Sequence, residues 1–140
     1  MDKAVIPMKK RFLYLILPII TLSLEALPYG AVCIFASSPT ERLRETFSYF
    51  DLTPFGYAKF APLFTAIITC LLFILLMVYC VKGNAGIATK AKNLLFVAGV
   101  MSLGPLVFDI HYFFLVGGLI TISLVIELLL LHFNIKVKGV

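Results

Sequence analysis

The chain has 140 residues, of which 61% are hydrophobic and 14% charged, and its mean hydropathy is +1.06. A soluble domain carries about half apolar and about a quarter charged residues, so too few charges remain here for a water-facing surface, which excludes a cytosolic globular enzyme, a nucleic-acid binder and a disordered regulator. The composition predicts an integral membrane protein whose partners are the lipid bilayer and either itself or another membrane protein. The net charge of +5 comes from basic clusters beside apolar runs, which is a topology signal and not the mark of an acidic ligand.

A crossing needs about 20 largely apolar residues. The first such run, 12–36, follows a basic start but lacks a small-x-small cleavage site, so it reads as a retained span and not a signal peptide. Glu25 lies within it, about 20 Å of helix beyond Phe12 and somewhat past the middle of a hydrocarbon core about 30 Å thick. An ionised carboxylate is expensive there, so it must be protonated, paired or facing water. Pro28 and Gly30 follow, and a helix break is expected at them because proline cannot donate to the carbonyl four residues back. A carboxylate beside a broken helix is how several transporters build a proton or ion site. A helix that stops at Pro28 would instead leave Glu25 among the outer headgroups as an ordinary interfacial acid.

Ser38-Pro39-Thr40-Glu41 offers a capping serine, a proline at the first helical position and a glutamate three residues after the cap. With Leu43, Phe47 and Phe50 at i, i+4 and i+7, the pattern predicts a short external amphipathic helix over 39–50 whose apolar face meets lipid or the top of the bundle. The segment 51–57 turns the chain into a second span, 60–81. The stretch 82–90 reads as a flexible connector, and its glycines lack the Gly-Lys-Ser/Thr ending of a phosphate loop. The following 40 apolar residues must fold back once, at Asp109 and His111, giving spans 92–108 and 113–133. Asp109 and His111 are read as turn chemistry, since one D-x-H pair is a poor metal predictor. Glu127 is expected to reach the headgroups with help from His132.

Lys3, Lys9, Lys10, Arg11, Lys82, Lys90, Lys92, Lys136 and Lys138 fall on one side of this arrangement, against Arg42, Arg44 and Lys59 on the other. Both termini are therefore expected in the cytoplasm, in a multi-pass plasma-membrane protein. The predicted fold is an all-α, four-span antiparallel bundle with the external amphipathic helix. Small residues at Ala61, Thr65 and Thr69, at Ala98 and Ser102, and at Gly117, Gly118 and Thr121 mark where helices should meet closely. Cys33, Cys70 and Cys80 lie in apolar stretches without a CxxC and read as small buried residues.

Neither a catalytic constellation nor a metal or cofactor motif appears, so enzyme activity is not expected. The leading expectation is a structural or accessory subunit; the competing one is a small proton- or ion-coupled transporter using Glu25. A water-accessible cavity at Glu25 would favour the second, and burial against a hydrogen-bond donor the first.

The stretches Leu24-Glu25-Ala26-Leu27-Pro28-Tyr29-Gly30-Ala31-Val32 and Ser48-Tyr49-Phe50-Asp51-Leu52-Thr53-Pro54-Phe55-Gly56-Tyr57-Ala58, followed by 62–69, resemble a family of small four-span membrane proteins of Gram-positive bacteria. The resemblance covers about the first 80 residues and implies a bacterial plasma membrane, without an activity. The chain is also similar in outline to small multidrug-resistance transporters, which carry a glutamate in their first span. It departs from them in having no tryptophan, in the external segment and in its strong charge bias.

Overall fold

The computed structural model describes residues 11–36, 38–56, 59–105 and 115–136, with side chains as far as Phe133 in the last segment. The first described element is a 3-10 turn, Phe12–Leu15, that runs into helix α1, Ile16–Ala26. Pro18 sits in the first turn of α1, where its missing N–H costs little. A hairpin follows, β1 Ala31–Ala36 and β2 Arg42–Phe47, then the short α2 Leu52–Gly56, α3 Phe60–Lys82, α4 Ala85–Ser102 and α5 Leu115–Lys136.

The first helix ends at Ala26 and not at 36. Leu27 is extended, with ψ 141°, as expected of a residue whose neighbour is a proline ring. The chain beyond Pro28 becomes β1, with Val32, Ile34 and Phe35 as good strand formers.

The expected helix over 39–50 is overturned: those residues turn and then form β2. Ala31 pairs with Phe47, Cys33 with Glu45 and Phe35 with Leu43, antiparallel. The cap forms locally, since the Glu41 N–H donates to Ser38 Oγ at 2.9 Å. However, the Ser38 N–H donates to the Glu41 carbonyl at 3.3 Å, closing a turn in which serine leads and proline follows. An i, i+4 apolar pair lies on one face of a strand as readily as of a helix, so Leu43 and Phe47 did not discriminate. Pairing with β1 and the edge-to-face contact of Phe35 on Phe47, centroids 6.3 Å apart, select the strand. Leu43 and Phe50 are exposed, as are Arg42 and Glu45.

The connector expected over 82–90 is shorter than expected, because α3 ends and α4 begins around Gly83 and Asn84 alone. Gly83 adopts φ 64°, the left-handed cap that glycine tolerates, and donates to the Tyr79 carbonyl at 2.8 Å. Asn84 caps α4 by accepting from the Gly86 N–H. The space beside Gly83 is filled by the Arg11 guanidinium, which donates to the Cys80 carbonyl, so Arg11 closes the end of α3. At α2, the Thr53 N–H donates to Asp51 Oδ1 at 2.8 Å, and its bonds with Thr53 hold the Asp51 carboxyl below its ordinary value.

Among the described residues the four longer helical segments pack in a ring: α1 on α3, α3 on α4, α4 on α5 and α5 back on α1. Neighbours run antiparallel, as Arg11 with Cys80 and Glu25 with Thr69 show for α1 and α3. Two helices, Phe60–Lys82 and Leu115–Phe133, are long and apolar enough to cross a membrane. The expected turn at Asp109 and His111 lies outside the described residues.

Large apolar side chains line the outside of the helices, and several polar ones lie within an otherwise apolar core. Ile16, Ile19 and Ile20 on α1, Leu71 and Ile74 on α3, Phe96 and Val100 on α4, and Leu115, Ile122 and Leu129 on α5 are exposed, while Thr21, Glu25, Thr65, Thr69, Ser102, Ser123 and Glu127 are buried.

Candidate functional site

The buried polar side chains form a seam. On α1, Thr21 and Glu25 are one turn apart on the face turned inward. The inward stripe of α5 runs through Val116, Ile120, Ser123, Leu124, Glu127 and Leu131, each within three or four residues of another on the same face. The two faces meet where Thr21 Oγ1 and Ser123 Oγ lie 2.6 Å apart. From that bridge Glu25 lies one turn toward the hairpin and Glu127 one turn toward the opposite end, each about 6 Å of helix away. The seam extends to α3 through Thr69, whose Oγ1 donates to Glu25 Oε1 at 2.8 Å and is also 2.9 Å from the Thr65 carbonyl.

Glu25 is fully buried within the bundle. The reason lies above it: the chain does not leave for the surface at Pro28 but doubles back, and the Tyr49 N–H donates to the Glu25 carbonyl at 2.9 Å. Tyr49, itself buried, lies with its ring against Gly30, whose place would bring a Cβ within 2.8 Å of Tyr49 Cδ1. Burial first, and then the neighbouring Glu25 charge, raises the Tyr49 phenol above its ordinary range. Lys59 donates to the Val32 carbonyl at 2.8 Å and ties β1 to the start of α3, where burial holds its ammonium below the ordinary lysine range. Pro28 is exposed; its part in the site is confined to ending α1.

Glu127 is 1% exposed, enclosed within the bundle and not turned outward. A short acid one turn from Ser123 on the same inward stripe cannot bend outward without leaving the interface with α1 and α4. His132 lies five residues beyond it and is half-exposed. Three carboxyl oxygens, Glu25 Oε2 and both of Glu127, have no hydrogen-bonding partner among the described residues. A buried polar group without a partner costs about 1–3 kcal/mol, and an isolated buried ion far more, so these groups are not there for the stability of this closed arrangement.

One hydroxyl proton cannot serve both acceptors of Thr69. With Glu25 ionised, Thr69 donates to it and the Thr65 carbonyl loses that partner. With Glu25 protonated on Oε1, the carboxyl can donate to Thr69 while Thr69 donates to Thr65, so both hydroxyl protons and the Thr65 carbonyl are satisfied and only Oε2 is left over. The same logic holds at the bridge, where Thr21 donates to the Leu17 carbonyl at 3.0 Å and Ser123 donates to Thr21.

No three His, Cys, Asp or Glu side chains converge among the described residues. The three cysteines are unbridged, Cys33 and Cys80 buried and Cys70 partly so. Of the small positions singled out in the sequence, Thr65, Thr69, Ala98 and Ser102 are buried, and Thr121 lies 3.1 Å from Ser102 across α4 and α5. Sequence reading missed the Thr21–Ser123 bridge, and no spacing rule could pair two hydroxyls 102 residues apart. No family model, characterised protein or solved structure matches this chain.

Proposed function

We propose that this chain is a multi-pass plasma-membrane protein, its helical segments crossing the bilayer four times with both termini cytoplasmic, which exchanges protons or a small cation through Glu25 and Glu127. What carries the functional part is the pair of buried carboxyls with unpartnered oxygens on one hydroxyl-lined seam, since ionisable residues inside a membrane bundle are costly and face functional pathways. The membrane part is supported by the large apolar side chains exposed along the helices, which a bilayer favours and water does not, and by the lysine asymmetry. In this mechanism Glu25 and Glu127 take up and release the transported proton or cation at successive depths. Thr69, Thr21 and Ser123 reorient their hydroxyls between acceptors as the charge on the acids changes.

The topology predicts that Glu45→Cys, with Cys33, Cys70 and Cys80 replaced by alanine, reacts with a membrane-impermeant thiol reagent from outside. Ala85→Cys should react only after permeabilisation, and the reverse pattern rules the orientation out. For the activity, the purified protein in liposomes enclosing a pH-sensitive dye should acidify or alkalinise the lumen when one of a panel of solute gradients is applied. Glu25→Gln keeps the shape and the Thr69 contact but holds no proton, so it should insert and fold normally and lose the pH change. Unchanged proton flux in the folded variant would falsify coupling at Glu25.

At Glu25 itself the donor-paired burial against Thr69 favours the second reading, a structural or accessory subunit, and it is the partnerless oxygens of Glu127 among the described residues that weigh for the first. Under the second reading the parent protein moves no proton with any solute.

A further inference from the structure

We propose that a groove between α4 and α5, at the lysine-rich end of the bundle, binds an anionic phospholipid. The proposal rests on the membrane reading above, but not on any transport role.

The groove has a volume of about 490 Å3 and two chemically distinct ends. Lys92 and Asn93 of α4 and His132 of α5 line one end. Phe96 and Val97, one turn further along α4, and Leu128 and Leu129, one turn back along α5, line the other. Because α4 and α5 run antiparallel, both helices change from polar to apolar at the same depth. His132 is the next-to-last residue of the apolar stretch Leu115–Phe133, and Lys92 stands just before the apolar run that begins at Leu94. The polar end therefore lies where the headgroups meet the hydrocarbon, and the apolar end lies within the acyl chains.

The polar end offers an ammonium, an amide and an imidazole, all able to donate to phosphate oxygens. None of the described residues that line the groove is acidic. Glu127, although on α5, belongs to the buried inward stripe and not to this outer face. The apolar end is open, with Phe96 61% and Leu129 49% exposed, so acyl chains can lie along it. A second copy of the chain fits less well, because a two-fold contact at this face brings like-charged lysine-rich ends together. Basic pockets between helices on the cytoplasmic side hold anionic headgroups for the same reasons.

The test is native mass spectrometry of the full chain in a neutral detergent, titrated with phosphatidylglycerol or with phosphatidylcholine of the same acyl chains. Phosphatidylglycerol should be retained roughly fivefold more tightly or better, the factor expected from one lysine near an anionic surface. Lys92→Gln should lower that retention by a similar factor, and Lys82→Gln, which removes a lysine outside the groove, should leave it nearly unchanged. Glycerol phosphate, the headgroup without chains, should not displace the lipid at matched concentration, whereas displacement would show a free-phosphate site instead. Equal retention of the two lipids, or an equal loss from Lys82→Gln, overturns the proposal. Alkaline carbonate extraction of cell membranes separates the two failures. A chain released to the supernatant ends the membrane reading and this proposal with it, and a chain that stays in the pellet without lipid preference ends only the proposal.

Discussion

Glu127→Leu gives a more stable protein, by about 1–3 kcal/mol in reversible unfolding with a denaturing detergent in bicelles. Both carboxyl oxygens of Glu127 lie inside the bundle without a partner among the described residues, so the native state carries a desolvation cost that leucine, of similar volume, does not. Exchanging buried charged groups for well-packed apolar ones is commonly neutral or stabilising. The proposed relay makes the opposite prediction for activity, since a leucine one turn from Ser123 interrupts the seam, and pH-dependent flux should disappear in the stabilised variant. Glu25→Leu is the informative contrast. There one oxygen already has a partner, and Thr69 keeps the Thr65 carbonyl when the acid is gone, so the gain in stability should be smaller. If Glu127→Leu instead loses more than about 1 kcal/mol, the acid is held by an interaction that keeps the bundle together, and the structural reading gains.

Gly30→Ala should lower stability by about 1–3 kcal/mol, the usual range for forcing extra volume into a packed core. The added Cβ would stand 2.8 Å from Tyr49 Cδ1 and 3.0 Å from Cε1, and these are atoms of a ring that is 1% exposed and has nowhere to swing. The loss should be local at first. The Gly30 N–H donates to the Phe47 carbonyl and the Tyr49 N–H to that of Glu25, so moving the ring loosens the hairpin from α1 and opens the lid over Glu25. Hydrogen exchange at the Tyr49 amide reads this directly. In a Tyr49→Leu background the clash is relieved, and the two substitutions should be strongly non-additive. Additive losses would mean that Gly30 matters for its backbone and not for the room it leaves.

Apolar runs and their breaks were legible in the chain because hydrocarbon burial and proline geometry act locally. The ends of α3 and the stop of α1 before Pro28 follow from residues within a turn of them, whereas the join at Gly83 and Asn84 is shorter than the connector over 82–90 that its small polar residues suggested. The segment over 39–50 was not legible: Ser38, Pro39 and Glu41 serve a helix cap and a turn equally, and Leu43 and Phe47 fit either period. Pairing with 31–36 decided the outcome, and strand pairing is a contact between segments that no window along one of them contains.

The candidate site divides in the same way. Its acids were visible as the ionisable residues of the apolar runs, because a charge there is anomalous on composition alone. Their burial was not, since Glu25 at a helix end is interfacial or enclosed depending on whether the chain leaves or returns, and Tyr49 brings it back. Sequence by itself determined the apolar character, the basic asymmetry and the break at Pro28, each set by a residue's own transfer energy or backbone. Only the tertiary structure decided the hairpin, the enclosure of Glu25 and the joining of two acids through Thr21 and Ser123, because packing at those places depends on residues far apart in the chain.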